Sequence, residues 1–244
     1  MKKRGFLTGV LLVLGWQLAA MLIHREVVVP PPLAVIAKMW ADVQSPLFYQ
    51  SVAITLSRCL LGLFLAMSLG IALGLVAGYC PKAEQYLSPV LSILKAVPNI
   101  SVIIILLIWV GAEKSVLAIS FFVIFPVFYT NVLTGVHAIS PLHRAVLAVM
   151  PTSKSYQLFA ITLPLCAPQI YAGLLLTSGL GLKVSIMAEI LGQVRAGMGK
   201  QMYFAKVDFD MVSIFAWTIW IIILVSLMTA LLKRTRKWFF TTSR

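Results

Sequence analysis

Six stretches of this chain each carry about twenty mostly apolar residues, the length a helix needs to cross a hydrocarbon core of roughly 30 Å. They run approximately over 6–23, 54–79, 90–110, 115–133, 166–191 and 211–232. A soluble core cannot absorb so much apolar chain. Of 244 residues, 61% are hydrophobic and 11% charged, against roughly 45–50% and about 25% in soluble domains. The sequence therefore predicts an all-α, polytopic membrane protein of about six transmembrane helices, forming a single transmembrane domain over 1–244. The first run follows "MKKR", as a signal peptide would, but no small-x-small cleavage site precedes "HREVVVPPP". It is read as a retained helix.

Loops facing the cytoplasm carry the excess of Lys and Arg. With the N-terminus inside, the inner segments hold Lys2, Lys3, Arg4, Lys82, Lys95, Arg144, Lys154, Lys233, Arg234, Arg236, Lys237 and Arg244. The outer segments hold Arg25, Lys38, Lys114, Arg195, Lys200 and Lys206. This asymmetry predicts a multi-pass protein with both termini cytoplasmic. Glu26, Asp42, Glu113, Asp208 and Asp210 fall outside and Glu84 inside. The net charge of +13 is then a topology signal and an attraction to anionic headgroups of the lipid membrane; no nucleic-acid partner is expected.

Several chemistries are missing. No GxxxxGK[ST] phosphate loop occurs, so no ATP site is expected in this chain. No HExxH occurs, and His24, His137 and His143 stand apart without carboxylates beside them in sequence. Cys59, Cys80 and Cys166 lie in or at the ends of different spans, without metal-site or disulfide spacing; they are read as packing residues. No metal site, catalytic residue or cofactor is expected. Ionisable residues inside the spans are confined chiefly to Arg58, Lys183 and Glu189, few for a proton-coupled carrier.

The longest polar interruption on the inner side runs over 137–164. Within it Leu158 and Ile161, and Tyr156 and Phe159, are three apart, as one face of a short helix requires. Pro151 and Pro164 bracket that helix, and Pro164 with Pro168 marks its stop and the start of the next span. Such a helix either docks in a groove of another protein or rests on lipid.

Larger patterns resemble one family. "VVPPPLAVIAKMW" is similar to a Pro-rich lead-in, and "SVAITLSRCLLGLFLAMSLGIALGLVAGY" to a Gly-rich second helix bearing Ser-x-Arg. "ILKAVPNISVIIILLIWVGAEKS" has Pro98, Trp109 and Gly111 in the expected places, and Ala188-Glu189 precedes Gly197-x-Gly199 by about ten residues. In this order and spacing the chain resembles the inner-membrane permease subunits of binding-protein-dependent ABC importers, in particular the nitrate/sulfonate/taurine group. The resemblance covers about 28–232. It implies the type I importer permease fold and places the chain in a bacterial cytoplasmic (inner) membrane. Implied partners are a second permease copy (a homodimer), two ATP-binding subunits that carry ATP-Mg, and an extracytoplasmic solute-binding protein. The stretch 137–164 is then the coupling loop that inserts into the ATPase, with Ser155, Tyr156, Gln157, Leu158, Phe159, Leu163 and Pro164 at the contact. "LHRAVLAVMPTSKS" lacks the family's Glu and Gly at the start of that loop, where Pro151 and Thr152 stand.

The function so implied is a non-enzymatic transport subunit. It forms the translocation path by alternating access, for a small anion such as a sulfonate, taurine or nitrate. A vitamin precursor is the alternative cargo, and an ATP-independent carrier or channel the alternative machine. Pro98, Asn99, Lys183 and Glu189 are the candidates for the path. Pro98 and Pro126 each remove a helix hydrogen bond, which membranes tolerate where protein or a water-filled cavity satisfies the freed groups. Lys183, mid-span, either meets a negative or strongly polar solute or pairs with an acid or carbonyls. Glu189 lies about 120° from it around the helix; it is read as a gate or docking residue, or as an interfacial carboxylate. Arg58 snorkels or pairs with a neighbouring acid. Gly70, Gly74 and Gly78, four apart, predict close approach of another helix.

Overall fold

The computed structural model describes residues 2–149 and 151–241, with side chains over 7–143, 145, 146, 149 and 151–235. Lys2, Lys3, Arg4, Arg144, Arg236, Lys237 and Arg244 of the charge argument lie outside the described side chains. The helices are α1 (Lys2–Ile23), α2 (Pro32–Gln44), α3 (Pro46–Tyr79), α4 (Pro81–Ala96), α5 (Asn99–Val110) and α6 (Ala112–His137). After these come α7 (Pro141–Val149), α8 (Lys154–Tyr156), a π-helical turn (Gln157–Thr162), α9 (Leu163–Gly192), α10 (Met198–Val207) and α11 (Met211–Thr241). There is no strand among the described residues. Pro32, Pro46 and Pro81 open α2, α3 and α4, where a missing N–H costs no intrahelical bond.

The core is set by a glycine seam. A Cβ added at Gly70 would fall 2.6 Å from the Cβ of Phe128, one at Gly74 2.8 Å from that of Val132, and one at Gly78 2.6 Å from that of Val136. Higher up, a Cβ at Gly62 would meet Ser120. The partner of each residue on α3 lies the same distance further along the chain on α6, so the two helices run parallel and in register, their backbones close because the glycines carry no side chain. A chain that leaves α3 at one end and enters α6 at the other must cross back between them. Residues 81–110 make that crossing.

Within 90–110 the helix hydrogen bond removed at Pro98 leaves more than a kink. The crossing breaks between α4 and α5, which meet at 96°. The cause is Pro98, whose ring and missing donor exclude the preceding residue from helical geometry; Val97 is extended at φ −68°, ψ 128°. Among the described residues four helices are long and apolar enough to span, α4 with α5 makes a broken fifth, and the apolar part of α1, Leu7–Ile23, is shorter.

α9 returns antiparallel to α6. Cys166 and Gln169 pack at Gly135, Asn131 at Gly173, and Ser185 hydrogen-bonds Ser120 at 2.8 Å. α11 runs antiparallel to α9 in turn, with the Tyr171 hydroxyl donating to the Leu232 carbonyl at 2.9 Å and Val225 against Gly179. α1 is peripheral: Trp16 stacks on Phe215 and donates to the Pro30 carbonyl, while Leu11, Leu12, Leu18 and Leu22 remain exposed.

A second expectation is corrected at the loop. Pro164 and Pro168 do not end an element, because helix continues unbroken from Lys154 to Gly192. The π-helical turn explains this. Leu163 N–H bonds Leu158 O, five residues back, and the widened turn relieves the clash a proline ring makes with the carbonyl four residues before it.

Candidate functional site

At the end of the bundle opposite 137–164, a charged cluster joins four elements. Glu189 of α9 has no exposed surface, so its carboxylate must find partners within the protein. It accepts from Arg58 Nη1 at 2.8 Å, from the Thr55 hydroxyl at 2.9 Å and from Gly199 N–H at 2.9 Å. Arg58 Nη1 also donates to the Ala196 carbonyl at 2.8 Å, and Nη2 pairs with Glu113 at the start of α6. Glu113 in turn accepts from Arg195 N–H at 2.6 Å, and Thr55 Oγ1 accepts from Met198 N–H at 2.8 Å. One guanidinium thus holds α3, α6, α9 and the turn before α10 together.

The glycines of "GMGK" make this closure possible. Gly197 has φ +133°, a conformation open to glycine, and a Cβ there would lie 2.6 Å from both Glu189 carboxylate oxygens. At Gly199 a Cβ would lie 2.4 Å from the Glu189 Cβ. The spacing of Ala188-Glu189 from Gly197-x-Gly199 therefore has a physical cause: the Gly199 amide must reach a buried carboxylate. Glu189, named as a path candidate, is placed in the interior and beneath a capping turn, not on an open surface. Thr55 and Glu113 were not singled out by sequence. Thr55 carried a signal, since it precedes Arg58 by three and shares its helix face.

Lys183 occupies different ground. Six residues before Glu189 on α9, it is exposed and belongs to an uncovered face with Leu176, Met187 and Leu191. It borders a cavity of about 420 Å³ whose other walls are mainly Ile186, Ile190, Met202, Ile221 and Ile222. Among the described residues it meets no carboxylate. By depth it lies between Gly181, which packs on Ile124, and Ser185, bonded to Ser120, near the middle of α6. Pro98 and Asn99 are exposed at the corner between α4 and α5. Just before that corner Lys95 bonds the Thr130 hydroxyl at 2.7 Å; beyond it Ile103 and Leu106 pack with Val116 and Ile119. The structure does not bring Lys183 and Glu189 onto one surface.

At the other end, Ser153 caps the turn that opens the long helix, its hydroxyl accepting from Tyr156 N–H at 3.2 Å. Tyr156 is 56% and Phe159 67% exposed. Leu158 and Leu163 turn inward against Leu75, Val132, Val136 and Cys166, and Thr162 is buried in contact with the Tyr79 hydroxyl. Ser155 and Pro164 lie beside this turn, and Gln157 reaches back to Thr152 at 3.3 Å. The expected contact residues therefore divide into outward aromatics and inward aliphatics.

Residues 70–240 match the family described as the binding-protein-dependent transport system inner membrane component. The chain belongs to this family. It is a multi-pass inner-membrane transport subunit, not an enzyme, and the family works with separate ATP-binding subunits and a solute-binding protein. The permease is 27% identical over 205 residues, 81% of this chain and 74% of the relative, to a putative aliphatic sulfonates transport permease of Bacillus subtilis (strain 168). It is 26% identical to the taurine transport system permease of Escherichia coli (strain K12), over 78% of this chain and 71% of that one. Among solved structures, the MetNI methionine ABC transporter in inward-facing conformations superposes with a TM-score of 0.70 at 16% identity, covering 79% of the permease and 96% of that chain. The likeness confirms the type I importer permease fold.

Proposed function

We propose that two copies of this permease enclose a path for a small anion, driven by two ATP-binding subunits that bind ATP-Mg and dock at 137–164. One observation carries the reading: Tyr156 and Phe159 project outward from a helix that continues into a membrane span. Exposed aromatics beside a buried aliphatic face suit insertion into a partner's cleft. The inner position of this loop, and of both termini, follows from the Lys and Arg asymmetry.

The second copy covers the open α9 face that holds Leu176, Lys183, Met187 and Leu191. A lysine at mid-depth is costly against lipid, about 2.5–3.5 kcal/mol on insertion scales, and is at home beside a hydrated path. Its charge favours an anion, and the sulfonate and taurine permeases above are named for solutes that carry a sulfonate. Asn99, exposed at the bend of the third crossing, contributes a neutral polar group at a comparable depth. Within this frame 1–244 acts as one permease domain, and Glu189 contributes by fixing helix ends. ATP binding and release shift the pair between two states that contact the partners differently.

The test is to tag the permease, extract it gently from its membrane, and count what co-purifies while ATP hydrolysis is assayed. An ATPase should appear in equal number and be lost in Tyr156→Asp and Phe159→Asp. Leu158→Asp should instead lower the melting temperature, since that side chain packs inward. Recovery of the permease alone, still moving solute in vesicles without ATP, would replace this reading with an ATP-independent carrier.

A further inference from the structure

Counted by sequence among the inner loop cations, Lys95 stands instead within the bundle. Its ammonium donates to the Thr130 hydroxyl at 2.7 Å. Thr130 is seven residues before His137, the coupling-loop end of α6, and so roughly 10 Å above it. Lys183 lies beside the part of α6 between Ser120 and Ile124, roughly 12 Å further from that end.

An ammonium has three donors and no acceptor. Thr130 takes one, and no carboxylate lies within ion-pair distance of Lys95 among the described residues. A lysine on a lipid-facing flank snorkels to the surface; Lys95 is exposed yet turns its ammonium onto α6. Ionisable groups within spans face the bundle interior or a water-filled cavity, so the remaining two donors call for water or an anion.

The surroundings of Lys95 are polar on both helices. On α4, Glu84, Ser88, Ser92 and Lys95 recur at intervals of four, four and three, which places them on one face. On α6, Thr130, Thr134 and His137 recur at four and three. The two faces meet at both ends, at Lys95 and Thr130 and again at Glu84 and His137 Nε2, 3.3 Å apart. Between these pairs Ser88, Ser92 and Thr134 are exposed. Leu87, Leu91 and Leu94 pack beside this line against the cluster of Phe125 and Tyr129, while Tyr86, Val90 and Ile93 form a separate, apolar exposed side of α4. α5 covers α6 only at its other half, where Ile103 and Leu106 pack with Val116 and Ile119.

We infer that the solute leaves along this line between α4 and α6, and that Lys95 is its second cationic contact after Lys183. The free N–H donors of Lys95 bond the acid oxygens of a passing sulfonate. At the coupling-loop end Glu84 presents the opposite charge, so the anion is not retained there. The inference rests on the proposed anion path and adds its inner half and the residue that selects charge in it.

The experiment uses the complete transporter in nanodiscs, with Cys80→Ser removing the exposed native thiol. Ser92→Cys, Thr134→Cys and Ile93→Cys are each labelled with an anionic sulfonatoethyl methanethiosulfonate and with its trimethylammonium counterpart. Ser92→Cys and Thr134→Cys should react with the anionic reagent about tenfold faster than Ile93→Cys, since an apolar setting suppresses the reactive thiolate. Adding Lys95→Met should lower the ratio of anionic to cationic labelling by about threefold, and Lys95→Arg should keep it, because a fixed cation concentrates anions in a cleft. Excess ethanesulfonate should slow labelling of Ser92→Cys, and do so less with Lys95→Met. Equal rates at Ser92→Cys and Ile93→Cys, a ratio indifferent to Lys95→Met, or no protection by ethanesulfonate overturns the inference. Labelling needs no ATPase, so each of these results leaves the importer reading intact, whereas failure of an ATPase to co-purify removes that reading whatever the labelling pattern.

Discussion

Arg58 and Glu189, 131 residues apart in sequence, meet at 2.8 Å with the carboxylate wholly buried. The pair closes one end of the bundle, and everything at that end is built around it. Arg58 is shared with Glu113 and the Ala196 carbonyl, so its loss would release three elements at once.

Arg58→Met should therefore destabilise strongly, by about 3–5 kcal/mol, the usual cost of leaving a buried charge without its partner. The double variant Arg58→Met with Glu189→Met should recover part of that loss, because the orphaned carboxylate is gone. Thermal unfolding in detergent measures both. Equal stability of the single variant and the wild type would show that solvent, not Arg58, satisfies Glu189.

Gly199→Ala should be poorly tolerated, since its Cβ would fall 2.4 Å from the Glu189 Cβ and 2.8 Å from the Ile186 carbonyl. Overpacking of this kind costs about 1–3 kcal/mol, occasionally more. Gly15→Ala is the control, with nothing within 4 Å of the added carbon. Expression level and melting temperature should fall for the first and hold for the second.

How much of this was legible beforehand depended on the range of the interaction. The seam at Gly70, Gly74 and Gly78 could be read because a spacing of four is a property of one helix. Pro98 announced a break for the same reason, yet the 96° angle is set by how α4 and α5 each pack on α6, which no local pattern encodes. Pro164 misled: the π-helical turn re-registers the hydrogen bonds around it, so a residue that usually stops a helix sits inside a continuous one. Glu113 was passed over as a loop acid because its partner, Arg58, lies on another helix 55 residues away. Leu158 and Phe159 were grouped as contact residues by family resemblance, and only packing separates the inward from the outward one.

Gly74→Ala should separate α3 from α6, the new Cβ lying 2.8 Å from that of Val132. Adding Val132→Gly removes that Cβ and makes room on the other side. A double-mutant cycle on melting should show a favourable coupling of about 0.5–3 kcal/mol, the range for residues in contact. Strict additivity would mean that the helices yield elsewhere.

Lys183→Met should leave the melting temperature near that of the wild type, because the side chain is exposed and meets no carboxylate among the described residues. Uptake of a sulfonate into proteoliposomes should fall at least several-fold, with ATPase docking intact. Unchanged rate and selectivity would remove Lys183 from the path.

The unbroken helix that carries both Leu163 and Glu189 has a mechanical meaning. At about 1.5 Å per residue it separates them by roughly 39 Å, and pivoting it by about 10° around its midpoint swings each end by roughly 3 Å in opposite senses. That swing is as long as the hydrogen bonds between Glu189, Arg58 and Gly199. With the ATPase docked at 137–164 as proposed, a push there would prise at the Arg58–Glu189 cluster on the far side, and the strength of that cluster would set how hard the ATPase must push.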